Sequence, residues 1–113
     1  MSKCPFCDRI DQGEVDWISA SEVASFEPLS PVTPGHRLFL PVEHAIHPDG
    51  GATAGAMMEA ELWGGKCRED FNLITSSGPA ATQTVPHIHI HYVPRRSDDG
   101  LYLPWTGKNQ GDQ

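Results

Sequence analysis

The sequence predicts a mixed α and β fold of short strands, and three observations predict it. Residues Gln83 to Arg96 alternate apolar and polar side chains with the period of a strand. Thr53 to about Asp70 has partly helical apolar spacing and is the only credible helix. Ten prolines and eleven glycines cut the rest of the 113 residues into short pieces. That length is expected to form a single domain, residues 1–113, with one core. At 38% hydrophobic residues the core is modest, so association or a bound metal is expected to add stability.

In chain order, Cys4-Pro5-Phe6-Cys7 reads as a Cys-x-x-Cys turn. It is half a zinc site if two more ligands exist, a redox pair if set in a thioredoxin-like strand-to-helix junction, or two incidental thiols. After an acidic segment, Asp11 to Glu14, Val15 to Phe26 reads as two short strands joined by a turn at Ser19 to Glu22. Pro28, Pro31 and Pro34-Gly35 make a rigid loop, because proline fixes φ and restricts its predecessor. His36 to Pro41 is a third strand with a buried run, Leu38-Phe39-Leu40.

His47 to Gly51 is a turn cluster, and Thr53 is placed to cap the helix that follows. Its apolar positions are Ala56, Met57, Ala60, Leu62, Trp63 and Cys67, the last expected to be a small buried residue. Gly64-Gly65 weakens it, each glycine costing about 1 kcal/mol relative to alanine. Phe71 to Thr75 is a fourth strand, and Ser76 to Thr82 a loop of small residues. Such a loop lets backbone N–H groups approach an anion, or is simply solvated. Past the final strand, Arg95 and Arg96 are solvated charges or phosphate contacts, and Trp105 covers a pocket or packs on a partner. Residues 106–113 are expected to be a frayed tail.

The final strand carries the chemistry. His87, His89 and His91 stand at alternate positions and share one face, with Ile88, Ile90 and Tyr92 or Val93 opposite. Three readings are open: a half-buried strand with a wet polar face, a metal site, or a phosphoryl pocket with an imidazole nucleophile. Gln83 and Thr84 lead into the row with an amide and a hydroxyl, which suits phosphate.

Composition limits the partners. A formal charge of −7 and a pI near 5.1 disfavour tight binding of a nucleic acid polymer, which is gripped by clustered Lys and Arg. A small phosphorylated ligand remains compatible. No apolar run reaches the roughly 20 residues of a membrane span, and Met1 to Cys4 lacks an apolar signal core, so a cytoplasmic location is expected. Three cysteines, an odd number, fit reduced thiols.

The run Gln83-Thr84-Val85-Pro86-His87-Ile88-His89-Ile90-His91-Tyr92-Val93 resembles the signature of the histidine-triad (HIT) family, and Pro34-Gly35-His36 through Pro41-Val42-Glu43-His44 resembles its second conserved stretch. The resemblance covers residues 4–105. It implies an α+β, HIT-like fold: a five-stranded antiparallel sheet with a shortened central helix, commonly doubled in a homodimer. It also implies a structural zinc held by Cys4, Cys7, His44 and His87, although His44 and His87 line the phosphate pocket in members lacking the cysteines. The implied activity is hydrolysis of a nucleotide phosphoanhydride or phosphoramidate, including dinucleoside polyphosphates, or nucleotidyl transfer. His89 would attack the α-phosphate to form a covalent nucleotidyl-histidine. His91 would bind phosphate and assist the leaving group, and Gln83 and Thr84 would hold phosphate oxygens.

The chain departs from the family pattern in three places. Pro28 stands where many members have a ribose-binding Asp or Asn, leaving Glu27 as a substitute, while Ser76 and Thr82 replace an Asn and a Gly. These departures favour the alternative of a nucleotide-binding regulatory module without turnover. A further rival is a metal-dependent hydrolase using all three histidines.

Overall fold

The computed structural model describes residues 4–104, so Trp105 and the tail at 106–113 lie outside the described residues. Five strands form one antiparallel sheet: β1 (Trp17–Ile18), β2 (Val23–Phe26), β3 (Arg37–Pro41), β4 (Phe71–Thr75) and β5 (Ile90–Pro94), in the order β1-β2-β3-β5-β4. Helix α1 is Pro5–Asp11 and helix α2 is Gly50–Cys67. The β1–β2 hairpin, β3 and β4 fall where the sequence places them.

Strand alternation sorts side chains onto two faces. Val23, Phe39, Ile90 and Tyr92 pack against Ala56 and Ala60 of α2. Ala24, Phe26, Leu38 and Leu40 pack on the other face against Cys4 and Phe6 of the α1 segment. Leu38 and Ile74 flank His91 in register, so the histidine side of β5 faces α1. The sheet thereby divides a conventional apolar core from a layer in which imidazoles are mixed with apolar groups.

Four expectations are corrected. The Cys-x-x-Cys segment is not a turn but opens a helix, since Cys4 occupies the N-cap, its Sγ accepts from the Cys7 N–H at 3.3 Å, and Pro5 takes the first helical position. The final strand does not run from Gln83, because the chain pairs with β3 only from Ile90; before that Ile88 N–H donates to Ala45 O at 2.7 Å and His87 N–H to Val85 O at 2.8 Å. Helix α2 starts at Gly50, with Thr53 inside it, where its hydroxyl accepts from Asp49 N–H at 2.8 Å. Cys67 and Leu62 are exposed instead of buried. Leu62 lies roughly opposite the Ala56–Ala60–Gly64 face at 3.6 residues per turn, and Cys67 is the last helical residue, where left-handed Arg68 (φ 54°) turns the chain toward β4.

Small residues on the inner face let α2 lie close to the sheet. A Cβ on Gly64 would stand 2.4 Å from the Phe71 ring, so the glycine that weakens the helix locally is required by the packing. Gly35 does the same in the Pro-rich loop, with φ +90° and the Pro94 ring 3.0 Å from where a Cβ would be.

Candidate active site and metal centre

The loop before β5 brings the histidine row against both α1 and β3. His87 is fully buried, His89 is 5% exposed and His91 is partly buried. The row is therefore much less open than an alternating strand with one solvated face would be. Each ring meets a different environment, and fixed backbone partners determine where each proton resides.

His87 donates from Nε2 to the Pro41 carbonyl at 2.7 Å, at the point where β3 runs out of a ladder partner. Its Nδ1 lone pair then faces the cysteines, 3.5 Å from Cys4 Sγ and 3.4 Å from Cys7 Sγ. His44 Nδ1 lies 3.2 Å from Cys7 Sγ. The four ligand atoms all fall within 4.8 Å of one another. Tetrahedral zinc with ordinary Zn–S and Zn–N bond lengths separates neighbouring S and N atoms by about 3.6 Å, close to these spacings. The donor set, its geometry and the inward lone pair of His87 fit a metal with a closed Cys2His2 shell. Burial, the adjacent Cys4, Asp11 and Asp8 push the Cys7 thiol up to about 11, a direction that a bound cation opposes.

His89 donates from Nδ1 to the His87 carbonyl at 2.7 Å, which leaves the lone pair on Nε2. Among the described residues no fully buried side-chain nitrogen or oxygen lacks a partner, so the little surface that this ring retains includes Nε2. Phe6 stands edge-on to the ring at 5.0 Å and 90°, and Thr75 donates its hydroxyl to the His89 carbonyl at 2.8 Å. Side chain and backbone are thus held together.

His91 is paired with a residue the sequence analysis left out of the site. The Val32 N–H donates to His36 Nδ1 at 3.1 Å, so His36 carries its proton on Nε2 and donates it to His91 Nδ1 at 2.9 Å. The His91 proton is consequently on Nε2. The Pro34-Gly35-His36 turn was the available signal for this partner, but nothing in the linear order of residues joins it to position 91.

All four of these rings favour the neutral form. Burial lowers the pKa of His36, His87 and His89, and burial with the nearby His89 and His36 brings His91 down to about 4. A neutral imidazole with a free Nε2 lone pair is a nucleophile. The His89 and His91 ring centroids are 4.9 Å apart, so a lone pair and an N–H donor occupy adjacent rings.

The remaining candidates surround this pair. Gln83 Oε1 accepts from Gly78 N–H at 2.8 Å while its amide nitrogen donates to Ile46 O and Val85 O, so the side chain ties the loop together. Thr84 is exposed and lines a cavity of about 320 Å³ with Gln83, His47 and Gly78. Thr82 adopts φ 64°, keeping the left-handed conformation glycine takes most easily. Glu27 is exposed, and its carbonyl accepts from Arg9, whose guanidinium lies 3.9 Å over the Phe26 ring. Arg95 bonds Asp99, Asn72 and the Leu101 carbonyl, and Arg96 bonds Thr33 Oγ1 and the Pro34 carbonyl. Both arginines therefore fasten the segment after β5.

Comparison with known proteins agrees with this geometry. A HIT domain model matches residues 17–98. The chain is 28% identical over 110 residues to an adenosine 5′-monophosphoramidase of Schizosaccharomyces pombe, covering 90% of this chain and 82% of that protein. It is 32% identical over 99 residues to a bifunctional bis(5′-adenosyl)-triphosphatase/adenylylsulfatase of Arabidopsis thaliana, covering 80% of this chain and 54% of that one. Among solved structures, a zinc-bound histidine triad family protein from Mycobacterium smegmatis superposes with a TM-score of 0.77 at 29% identity, covering 89% of this chain and 81% of that one. The five-stranded antiparallel sheet with its helices is the fold these neighbours share.

Proposed function

The chain belongs to the HIT family, and from that premise we propose that it is a nucleotide hydrolase working through a covalent nucleotidyl-histidine. Similarity to a phosphoramidase and a dinucleoside triphosphatase supports the hydrolase class. One observation carries the mechanism: His89 keeps a neutral ring with Nδ1 tied to the His87 carbonyl and Nε2 free, beside the Nε2–H of His91. His89 Nε2 bonds to the α-phosphorus as the bond to the leaving group breaks. The leaving atom takes a proton from solvent delivered past His91, and water then cleaves the phosphorus–nitrogen bond to release the nucleotide and return the proton. His91 also donates to the phosphoryl group, stabilising charge that grows during transfer.

Thr84 lies on the approach to the row and is a phosphate contact in this scheme. Gln83 joins it by exchanging one loop carbonyl for a phosphoryl oxygen. Cys4, Cys7, His44 and His87 hold zinc, whose closed shell fastens α1 to the loop before β5 and leaves no position for a reacting water. The metal-dependent rival is disfavoured by geometry, since the Nδ1 atoms of the three triad rings face the cysteines, a carbonyl and His36 respectively. Free thiols at this site suit a reducing, cytoplasmic setting. β4 ends the sheet, and its outer edge supports doubling into a homodimer. The chain acts as a single domain.

The alternative, a nucleotide-binding module without turnover, is favoured by the 5% exposure of His89 together with Pro28, Ser76 and Thr82 at the departures from the family pattern. Intact-protein mass spectrometry after a brief pulse of adenosine phosphoramidate separates the two. A nucleotidyl adduct mapped to His89, absent in His89→Ala, is expected. Binding without adduct or turnover, across purine and pyrimidine substrates, sinks the enzyme proposal.

A further inference from the structure

We propose that the cavity beside His91 is a leaving-group subsite that takes a small apolar amine in preference to a second nucleotide. This rests on the nucleotidyl-transfer reading above and adds the class of substrate. The cavity measures about 300 Å³, with His36 and His91 in its wall and Val32, Ile74, Val93 and Leu101 among its apolar lining. It therefore adjoins the one triad imidazole whose Nε2–H is placed to serve a departing group. Three of the apolar residues come from separate parts of the chain: the Pro-rich loop, β4 and the segment after β5. That convergence makes an enclosed apolar wall where a solvated exit would need none.

Charge decides between the candidate leaving groups. A dinucleoside polyphosphate expels a polyphosphate chain, which requires cations along its path. Among the described residues lining this cavity, Arg95 is the sole Lys or Arg. Its guanidinium is already committed: Nε and Nη2 donate to Asp99 at 2.9 and 3.1 Å, Nη1 to Asn72 at 2.7 Å, and Nη2 also to Leu101 O at 2.9 Å. Asp99 has moreover brought a carboxylate to the same wall. An expelled phosphate would enter without an unpaired partner and beside a negative charge. An aryl or alkyl amine buries its hydrocarbon against Val32, Ile74 and Leu101 and offers its nitrogen to His91. In this step the P–N bond breaks, its electron pair stays on nitrogen, and one proton from solvent completes the free amine.

The test compares kcat/KM for three substrates: an unsubstituted nucleoside phosphoramidate, the same compound carrying phenethylamine on phosphorus, and a dinucleoside tetraphosphate. Each is prepared with a purine and a pyrimidine nucleoside. The phenethyl compound is expected to exceed the unsubstituted one by at least about ten-fold and the tetraphosphate by about a hundred-fold, as burial of one ring predicts. Val32 is 55% exposed, so Val32→Asp folds, and it is expected to bring the first ratio toward one; Leu101→Asp is an independent second variant. Fastest turnover of the tetraphosphate, or a phenethyl preference unmoved by both variants, overturns the inference while leaving the hydrolase standing. No turnover and no histidine adduct with any substrate overturns the underlying reading, and this inference falls with it.

Discussion

The two faces of the sheet are covered in opposite ways. On one face an 18-residue helix, α2, rests Ala56, Ala60 and Gly64 on Phe39, Ile90 and Tyr92. On the other a seven-residue helix, α1, brings Cys4, Phe6 and Cys7 to Leu38, Leu40 and the histidine row. A helix of seven residues has too few hydrogen bonds to hold itself in water. Its attachment comes from Phe6, which meets both Phe26 and His89, and from the four donors of the metal cluster. The α2 face is therefore a matter of packing, and the α1 face a matter of polar chemistry. Substitutions on the two faces should separate stability from activity.

The largest separation is expected at His89. His89→Ala should lower turnover at least about 10³-fold, the scale of losing a nucleophile, while the melting temperature moves by only a few degrees. A variant that instead melts far below the wild type would show that the ring is chiefly structural. Next comes the metal. Purified, reduced protein is expected to carry about one zinc per chain, and Cys7→Ser to carry almost none. Loss of the closed shell should remove about 3 kcal/mol or more, read as a clear drop in thermal midpoint; a melt unaffected by chelation and by Cys7→Ser would detach α1 from the cluster.

The α2 face is tested by Gly64→Ala. Alanine gains about 1 kcal/mol of helix propensity, but its Cβ must displace the Phe71 ring from 2.4 Å, so a net loss of about 1–2 kcal/mol is expected with turnover retained. Stabilisation by this substitution would show that α2 is free to move away from β4.

Acid should act on the histidine face. The native pKa of His91 lies near 4, below its ordinary value of 6.5, so between those values the unfolded chain binds more protons. Stability is thus full above about pH 6.5 and falls as pH drops toward 4, with turnover falling as the rings protonate. A flat urea midpoint across that window would refute the burial of the row. The smallest effects are expected for Leu62→Gln and Cys67→Ser, both at exposed positions, each within about 0.5 kcal/mol.

Residue order alone determined a good deal. Alternation at 87, 89 and 91 put three imidazoles on one side of a segment, and β-rich runs bounded by proline and glycine marked β1 to β4 closely. These are local matters, set by the two-residue period of a strand and by backbone limits at turns. Helix α1 was also written locally, in a cysteine N-cap followed by proline, but seven residues leave too little periodicity to separate from a turn.

Tertiary structure decided the rest, because it depends on which distant groups meet. It closed Cys4 and Cys7 with His44 and His87, and joined His36 to His91 so that their tautomers became definite. It bent the triad segment away from β3, letting the His87 ring take the Pro41 carbonyl in place of a backbone partner. It exposed Cys67 by ending the helix there, and required Gly64 where propensity alone would choose alanine. Periodicity states which way a side chain points relative to its neighbours in sequence; only the packed sheet and helices state what it points at, and proton positions and metal geometry follow from that.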